Sequence, residues 1–353
     1  MKCFFSLACV FFLCLGCSNK AGQPDINNTV KSFLAKQHLD KRTTYIEVAL
    51  EKNTVSGQVQ SQQVLDSFAL YLKKHNPEIK TFNLSVIVPQ KAVVRNSVAN
   101  ARSLPKHSAE LATQYIMGQT LNVIKQEGEW FLIQGPDNYI AWVDHGGVAI
   151  GDSISPKWIN APKAVVQANE GEGYSTENIN TAATDLVFGN ILGVLENRIY
   201  ILPDGRTVRV NDSVFYKSTE TNPVSRMLNR AHSLLGRPYL WGGTSTKAMD
   251  CSGFTRTTFL DANIMLGRDA SLQVHEGLAV NKNNIGEWKP GDLLFFGNLR
   301  DDGTARISHV AIHIAEGKMI HASERVKIES LNPNHGNYNS ERANTLLHVR
   351  RIL

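Results

Sequence analysis

The chain has 353 residues and a formal net charge of +5, and at roughly 150 residues per domain its length predicts two or three domains. Its residues are 42% hydrophobic and 20% charged, a globular composition that excludes a collagen, a coiled coil, a disordered chain and a multispan membrane protein. Because the basic residues are scattered and form no long run, nucleic acid is not expected among the partners.

The N-terminal segment predicts an exported protein. The apolar run over residues 3–15 has the length of a signal peptide and is too short to cross a bilayer. With Gly16 before Cys17, the segment resembles a bacterial lipoprotein signal, which implies removal of residues 1–16 and lipidation of Cys17, followed by a tether over residues 17–27. An ordinary secretory signal stays open. The lipid would anchor the protein in the cell envelope, in the periplasm or at the outer membrane.

Four of the five cysteines lie within the first 17 residues, so after processing the one remaining free thiol is that of Cys251. A lone thiol in an exported protein is open to oxidation and unwanted pairing. Two interpretations follow: Cys251 is a small buried apolar residue, or it is a nucleophile. Its neighbours in the sequence decide between them.

Residues 28–90 are predicted to form a short helical N-terminal unit. Apolar residues at helical spacing indicate one short helix near residues 30–39 and a clearer one over residues 64–72. An apolar run over residues 82–88 predicts a strand. No chemical motif is found in this unit.

Residues 91–220 are predicted to form two small β-barrels, over 91–150 and 151–220. Short apolar segments alternate with Gly, Pro and Asn turns, a pattern typical of small barrels. Residues 112–118 align with residues 183–189, which indicates an internal repeat. The first copy resembles bacterial SH3-like domains through residues 102–105, 115–118 and 139–143 and through Trp130.

Residues 221–353 are predicted to form an α+β domain, because a helix over residues 224–235 and a second helix from Cys251 precede a group of strands. A helix N-terminus carries partial positive charge and free N–H groups. We therefore expect the pKa of the Cys251 thiol to be lowered, with N–H groups nearby that could bind an oxyanion.

Two histidines are predicted to lie near one another on a hairpin. A strand around His309 is followed by a returning strand that contains His321. A three-residue loop over residues 315–317 would place His321 diagonal to His309 on one face, whereas a two-residue loop would place it on the other face. His309 could then act as the base for the thiol and His321 as the residue that orients it. His313 is interpreted as a packing or surface residue.

Together these segments resemble the NlpC family of papain-like cell-wall peptidases. The motifs that carry the resemblance lie at residues 237–243, 250–254, 290–296, 309–312 and 320–322. The resemblance implies hydrolysis of the amide between γ-D-glutamate and a diamino acid in peptidoglycan stem peptides. It implies that Cys251 is the nucleophile, His309 the base and His321 the orienting residue, with no cofactor or metal.

The combination with SH3-like domains resembles the family branch that acts as a dipeptidyl-peptidase on L-Ala-γ-D-Glu-diamino acid peptides with a free amino terminus. This implies that Asp269 binds the substrate ammonium, although Ala270 stands where the branch has serine. Further pocket positions are implied for five residues: Tyr139, Tyr239, Trp241, Asp250 and Ser252. A barrel-core role for Tyr139 and a helix-cap or surface role for Asp269 stay open.

Two other functions remain as alternatives. One is an endopeptidase that acts on polymeric peptidoglycan and uses the barrels to bind the wall; the other is a wall-binding lipoprotein without activity. Asp269 argues against the first, because a blocked amine would leave its carboxylate unpaired at a cost of about 1–3 kcal/mol. The sequence does not decide whether the diamino acid is meso-diaminopimelate or lysine.

Overall fold

The structure is a computed structural model that describes residues 25–353. The predicted signal segment, most of the tether and Cys17 lie outside the described residues. The chain divides into two compact units, one ending at residue 87 and one formed by residues 42–44 together with residues 88–353. None of the helices within the described part has the length and apolar character needed to cross a membrane.

The first unit is a small α/β structure. Its elements are α1 (Ile26–Lys36), β1 (Ile46–Glu51), β2 (Thr54–Val59), α2 (Gln62–His75) and β3 (Thr81–Val86). Both predicted helices and the predicted strand are present, and a sheet of order β1-β2-β3 packs against the helices. Describing this unit as helical is therefore incomplete. β1 alternates half-buried with exposed residues, and β2 buries Val55 and Val59 completely, so the period-two pattern of strands was present in the sequence and was missed.

The first barrel follows in the second unit. Its strands are β4 (Gln90–Val94), β5 (Val98–Arg102), β6 (Leu111–Ile116), β7 (Thr120–Glu127), β8 (Trp130–Gln134), β9 (Ile140–Asp144) and β10 (Val148–Ile150). They pair in the order β10-β4-β7-β8-β9-β5-β6 around a core that includes Tyr115 and Tyr139. Three of these strands, β7, β8 and β9, contain short apolar segments of the kind that predicts the barrel.

A short helix, α3 (Pro156–Asn160), leads into a second sheet. Its strands are β11 (Lys163–Val165), β12 (Glu170–Ser175), β13 (Ala182–Val187), β14 (Ile191–Val194), β15 (Ile199–Ile201) and β16 (Thr207–Val210). The internal repeat is visible in the backbone, because Gly118 and Gly189 follow β6 and β13 with φ of 84° and 86°. The repeat extends to the turns at residues 136–138 and 203–205, which both begin with Pro-Asp and end at a residue of positive φ, Asn138 and Gly205.

The C-terminal domain is α+β, as predicted. Its elements are α4 (Pro223–Ser233), β17 (Thr244–Ser245), β18 (Ala248–Met249), α5 (Cys251–Asp261), α6 (Ala270–Gln273), β19 (Leu278–Val280), β20 (Leu293–Leu299), β21 (Ala305–Ala315), β22 (Lys318–Ser323), β23 (Arg325–Ser330), α7 (Ser340–Thr345) and β24 (Leu346–Arg351). The main sheet has the order β19-β24-β20-β21-β22-β23. α4 and α5 pack on one face of it around Phe254, Phe259 and Val310.

Buried polar contacts join the first barrel to this domain. Asp137 and Arg256 form an ion pair of 3.1 Å between side chains that are 1% and 7% exposed. The backbone N–H and the hydroxyl of Thr244 donate hydrogen bonds to the side chain and the backbone of Gln114. Since breaking a buried ion pair is costly, the barrel is held firmly enough to contribute one wall of a site.

Candidate active site

Cys251 is the first residue of α5, as the sequence predicts. Asp250 is the N-cap: its Oδ1 accepts a hydrogen bond of 2.7 Å from the N–H of Gly253. Arg268, which is 1% exposed, forms a two-pronged ion pair with the same carboxylate, at 2.6 Å for Nη2 to Oδ2. Asp250 therefore fixes the start of the helix and the position of the thiol.

The expected lowering of the thiol pKa is wrong. Burial and the neighbouring Asp250 carboxylate raise the pKa of Cys251 to about 12. N–H groups of Val310 and Ser252 and the charge of Arg268 oppose that rise without cancelling it. The cause is desolvation, which disfavours the thiolate more than the helix terminus stabilises it. The thiol is thus neutral at pH 7, and a base must take its proton.

The histidine hairpin has the predicted pairing but a different turn. The loop contains two residues, Glu316 and Gly317, both with positive φ. A bulge between His313 and Ala315 adds one residue to β21, so Ile312 pairs with Ile320 as a three-residue loop would require. His309 and His321 consequently share a face, and their Nε2 and Nδ1 atoms are 2.7 Å apart.

The hydrogen bonds of the two histidines define which nitrogen is the base. Nε2 of His321 lies 3.0 Å from Oε2 of Glu329, and an ionised carboxylate can only accept. His321 therefore carries its proton on Nε2 and accepts at Nδ1, so His309 donates from Nε2. That assignment leaves the lone pair of His309 Nδ1 free to receive a proton. Burial lowers the pKa of His309 well below its usual range and that of His321 to about 4, so both are neutral at pH 7.

Glu329 was not found by sequence reasoning. It lies on β23, where His321 pairs with Lys327, so Glu329 is diagonal to His321 on the same face. Burial raises the pKa of Glu329, but hydrogen bonds from Asn339 and Lys327 outweigh burial and leave it lowered. One sequence signal could have identified Glu329: a further strand directly follows the one that contains His321, and a carboxylate on it can lie beside that histidine.

His313 is a buried packing residue. Its Nδ1 donates to the carbonyl of Lys289 at 2.9 Å, and its Nε2 accepts the N–H of Gly317 at 3.3 Å. The ring also packs edge-on against Trp288. Because both ring nitrogens are occupied, His313 supports the hairpin and has no free nitrogen for catalysis.

A cavity of about 470 Å³ lies in front of Cys251, between the C-terminal domain and the first barrel. The predicted residues that line it are Tyr139, Trp241, Asp250, Cys251, Ser252 and Asp269. Tyr239 packs against the domain core, near enough to Cys251 and Asp250 for their negative charge to add to burial in raising its pKa. The oxygens of Asp250 and Ser252 are bonded to each other and to Arg268, so these residues shape the cavity more than they offer free groups.

Asp269 and Tyr139 meet at the barrel side of this cavity. Asp269 precedes α6, but its side chain makes no capping hydrogen bond. The carboxylate instead accepts a hydrogen bond from the hydroxyl of Tyr139, whose pKa is raised by burial and by the charge of Asp269. Tyr139 is at once part of the barrel core and part of the cavity wall. Tyr139 therefore has both of the roles that the sequence left open, in the barrel core and in the pocket.

Three further charged residues line the cavity and were not predicted: Arg42, Glu110 and Arg306. Oε1 of Glu110 accepts a hydrogen bond of 2.6 Å from the indole of Trp241, which joins the barrel to the rim of the cavity. Arg42 contacts Asp269. No local pattern identifies these residues, because each reaches the cavity from a different part of the fold: Arg42 from the segment 42–44, Glu110 from the barrel and Arg306 from β21.

A thiol at a helix N-terminus, facing a sheet that carries paired histidines, defines a papain-like cysteine peptidase. Family models support that class. The NlpC/P60 family matches residues 236–345, and the bacterial dipeptidyl-peptidase Sh3 domain matches residues 102–147.

Similar proteins support the same class of peptidase. The chain is 31% identical to a gamma-D-glutamyl-L-lysine dipeptidyl-peptidase of Bacillus cereus. The alignment of 247 residues covers 63% of this chain and 71% of the relative. It is 24% identical to dipeptidyl-peptidase 6 of Lysinibacillus sphaericus over 72% of this chain and 97% of that protein. A crystal structure of an NlpC/P60 family protein from Bacillus cereus superposes with a TM-score of 0.62 at 25% identity, over 75% of this chain and all of that one. The chain belongs to the NlpC/P60 family of cysteine peptidases.

Proposed function

We propose that this protein hydrolyses the γ-D-glutamyl-diamino acid amide of peptidoglycan stem peptides and releases L-Ala-D-Glu from peptides with a free N-terminal L-Ala. The observation that carries the proposal is the position of Asp269. Its carboxylate shares a cavity of about 470 Å³ with Cys251 and is bonded to a tyrosine of the first barrel. The names of the two dipeptidyl-peptidase relatives are consistent with such a substrate.

The reaction begins with proton transfer from Cys251 to Nδ1 of His309. The thiolate attacks the γ-carbonyl carbon of D-glutamate, and the resulting oxyanion is stabilised by N–H groups at the start of α5. The His309 imidazolium then protonates the amine of the diamino acid, which leaves. A water molecule, deprotonated by His309, attacks the thioester, and the thiolate leaves and regains its proton.

The carboxylates in the cavity favour a substrate whose amino terminus is free and positively charged. A free N-terminal ammonium forms a charge-assisted hydrogen bond with the Asp269 carboxylate, and Glu110 adds a second negative charge to the same cavity. An N-acetylated or glycan-linked peptide offers no cation to either group. Soluble turnover peptides are therefore the favoured substrates.

Polymeric peptidoglycan is the second candidate. The first barrel could bind the wall, but it also forms one side of the cavity and narrows the approach of a branched polymer to Cys251. Intact sacculi incubated with the enzyme test this candidate directly. Released muropeptides cut at the γ-D-glutamyl bond would favour the endopeptidase.

The main experiment compares L-Ala-γ-D-Glu-meso-diaminopimelate with its N-acetylated form, and repeats both with lysine in place of diaminopimelate. Mass spectrometry measures released L-Ala-D-Glu, and Cys251→Ala serves as the inactive control. We expect cleavage of the free peptides and loss of the preference in Asp269→Asn. The matched control is Asp204→Asn, which removes a carboxylate paired with Arg206 in the second barrel. Equal cleavage of free and acetylated peptides would reject recognition of the amine.

We also propose that residues 1–16 are removed and that Cys17 carries the lipid that attaches the protein to the envelope. The support is the N-terminal sequence alone. Incorporation of labelled palmitate that disappears in Cys17→Ala would agree with the proposal. A secreted, unlabelled protein would indicate an ordinary signal peptide.

A further inference from the structure

A three-residue segment of the second unit, residues 42–44, lies along the first barrel. The carbonyl of Arg42 accepts a hydrogen bond of 2.7 Å from the N–H of Ile140, at the start of β9. The carbonyl of Thr43 accepts one of 3.2 Å from the side chain of Gln134, at the end of β8. These bonds fix the backbone of Arg42 next to Tyr139.

The side chain of Arg42 extends from this segment into the cavity. Its Nη1 donates to Oδ2 of Asp269 at 2.6 Å and to Oγ of Ser271 at 3.0 Å. The two charged side chains are 31% and 26% exposed, so substrate and solvent can reach the pair. A cation of the chain itself therefore occupies one oxygen of the carboxylate that the proposed function assigns to the substrate ammonium.

We propose that Arg42 is a specificity-determining residue that competes with the substrate ammonium for Asp269. The inference rests on the proposed function, because it needs Asp269 to bind the amine. A guanidinium and an ammonium carry the same charge and donate to the same acceptor, so binding of one weakens binding of the other. Arg42 thus raises the KM for peptides with a free amino terminus.

Arg42 has the opposite effect on blocked peptides. With Arg42 in place, an acetylated amino terminus does not leave the Asp269 carboxylate without a partner, and the desolvation penalty for that carboxylate is smaller. Arg42 therefore narrows the difference between free and blocked peptides. A chain without this arginine would be more selective for free amines.

The test measures kcat and KM of Arg42→Ala with free and N-acetylated L-Ala-γ-D-Glu-meso-diaminopimelate. Because the pair is part-exposed, its release corresponds to a fall in KM for the free peptide of about fivefold, with kcat unchanged. KM for the acetylated peptide stays equal or rises. Arg206→Ala is the matched control. It also removes an arginine from an ion pair, since Arg206 lies 2.8 Å from Asp204, but this pair does not line the cavity. Arg42→Lys keeps the cation and should stay within about twofold of wild type.

An unchanged or increased KM for the free peptide in Arg42→Ala would overturn the inference, because Arg42 would then only position Asp269. If thermal unfolding shows that Arg42→Ala does not fold, Arg42→Gln carries the same test. Failure of the proposed function looks different: the wild-type enzyme would show no preference for the free amine, or Asp269→Asn would leave the preference intact. A preference that depends on Asp269 but not on Arg42 rejects the inference alone.

Discussion

Replacing Glu329 by glutamine should slow the enzyme without unfolding it. The carboxylate accepts the Nε2 proton of His321 at 3.0 Å and thereby determines that His309 Nδ1 is the basic nitrogen. Its negative charge also raises the pKa of His321, against the larger lowering by burial. A neutral amide supplies no such charge, and it can donate to His321 as readily as it accepts.

The size of the effect follows from the surroundings of Glu329. A hydrogen bond to a charged group contributes about 1.5–3 kcal/mol. Lys327 shares the carboxylate at 3.1 Å and the side chain is 19% exposed, so the lower end of that range applies. About 1.5 kcal/mol corresponds to roughly a tenfold fall in kcat/KM. The acid limb of the pH profile should move to lower pH, because loss of the carboxylate makes the histidine pair harder to protonate.

The assay is kcat/KM against pH for the free tripeptide, with thermal unfolding to verify the fold. Glu324→Gln is the control, since Glu324 contacts the same lysine at 3.6 Å but is 78% exposed and makes no bond to His321. A Glu329→Gln enzyme with the rate and pH profile of Glu324→Gln would refute the hydrogen-bonded chain that we describe.

Three other results are expected. Alkylation of Cys251 by iodoacetamide should keep rising with pH up to pH 10, because the raised pKa keeps the thiol neutral below that; a plateau reached near pH 6 would contradict this. Gly242→Ala should lower the free energy of unfolding in urea by more than about 2 kcal/mol, since φ is +81° and the new Cβ would lie 2.2 Å from a barrel carbonyl. Gly236→Ala is the control: φ is +84° but the space around the new Cβ is open, so the free energy of unfolding should fall by only about 1 kcal/mol. Equal losses of unfolding free energy in the two variants would show that the barrel backbone moves to accommodate the new methyl group. Arg268→Met should cost about 3–5 kcal/mol in the same assay by leaving the Asp250 carboxylate buried without its ion-pair partner, and a loss below about 1 kcal/mol would mean that water reaches that site.

The histidine hairpin illustrates how a local prediction can be right for an incomplete reason. Alternation along β21 places His309 and His313 on one face, which the sequence shows directly. The loop length was wrong, yet the bulge near Ala315 restored the pairing that places His321 beside His309. Bulges leave little trace in a sequence, because they depend on how neighbouring strands twist and pack.

The sequence by itself determined the motif residues and part of the elements, including the start of α5 at Cys251, the helices α1, α2 and α4 and the strands β7, β8 and β9, because periodicity, turn residues and capping act over a few neighbouring residues. Only the tertiary structure decided what surrounds the thiol. Burial raised the pKa of Cys251, a strand after the hairpin brought Glu329 to His321, and Arg42 reached Asp269 from 227 residues away. Desolvation and charge pairing depend on distances in space, and such distances are fixed only when strands distant in sequence pair and the barrel packs on the peptidase domain.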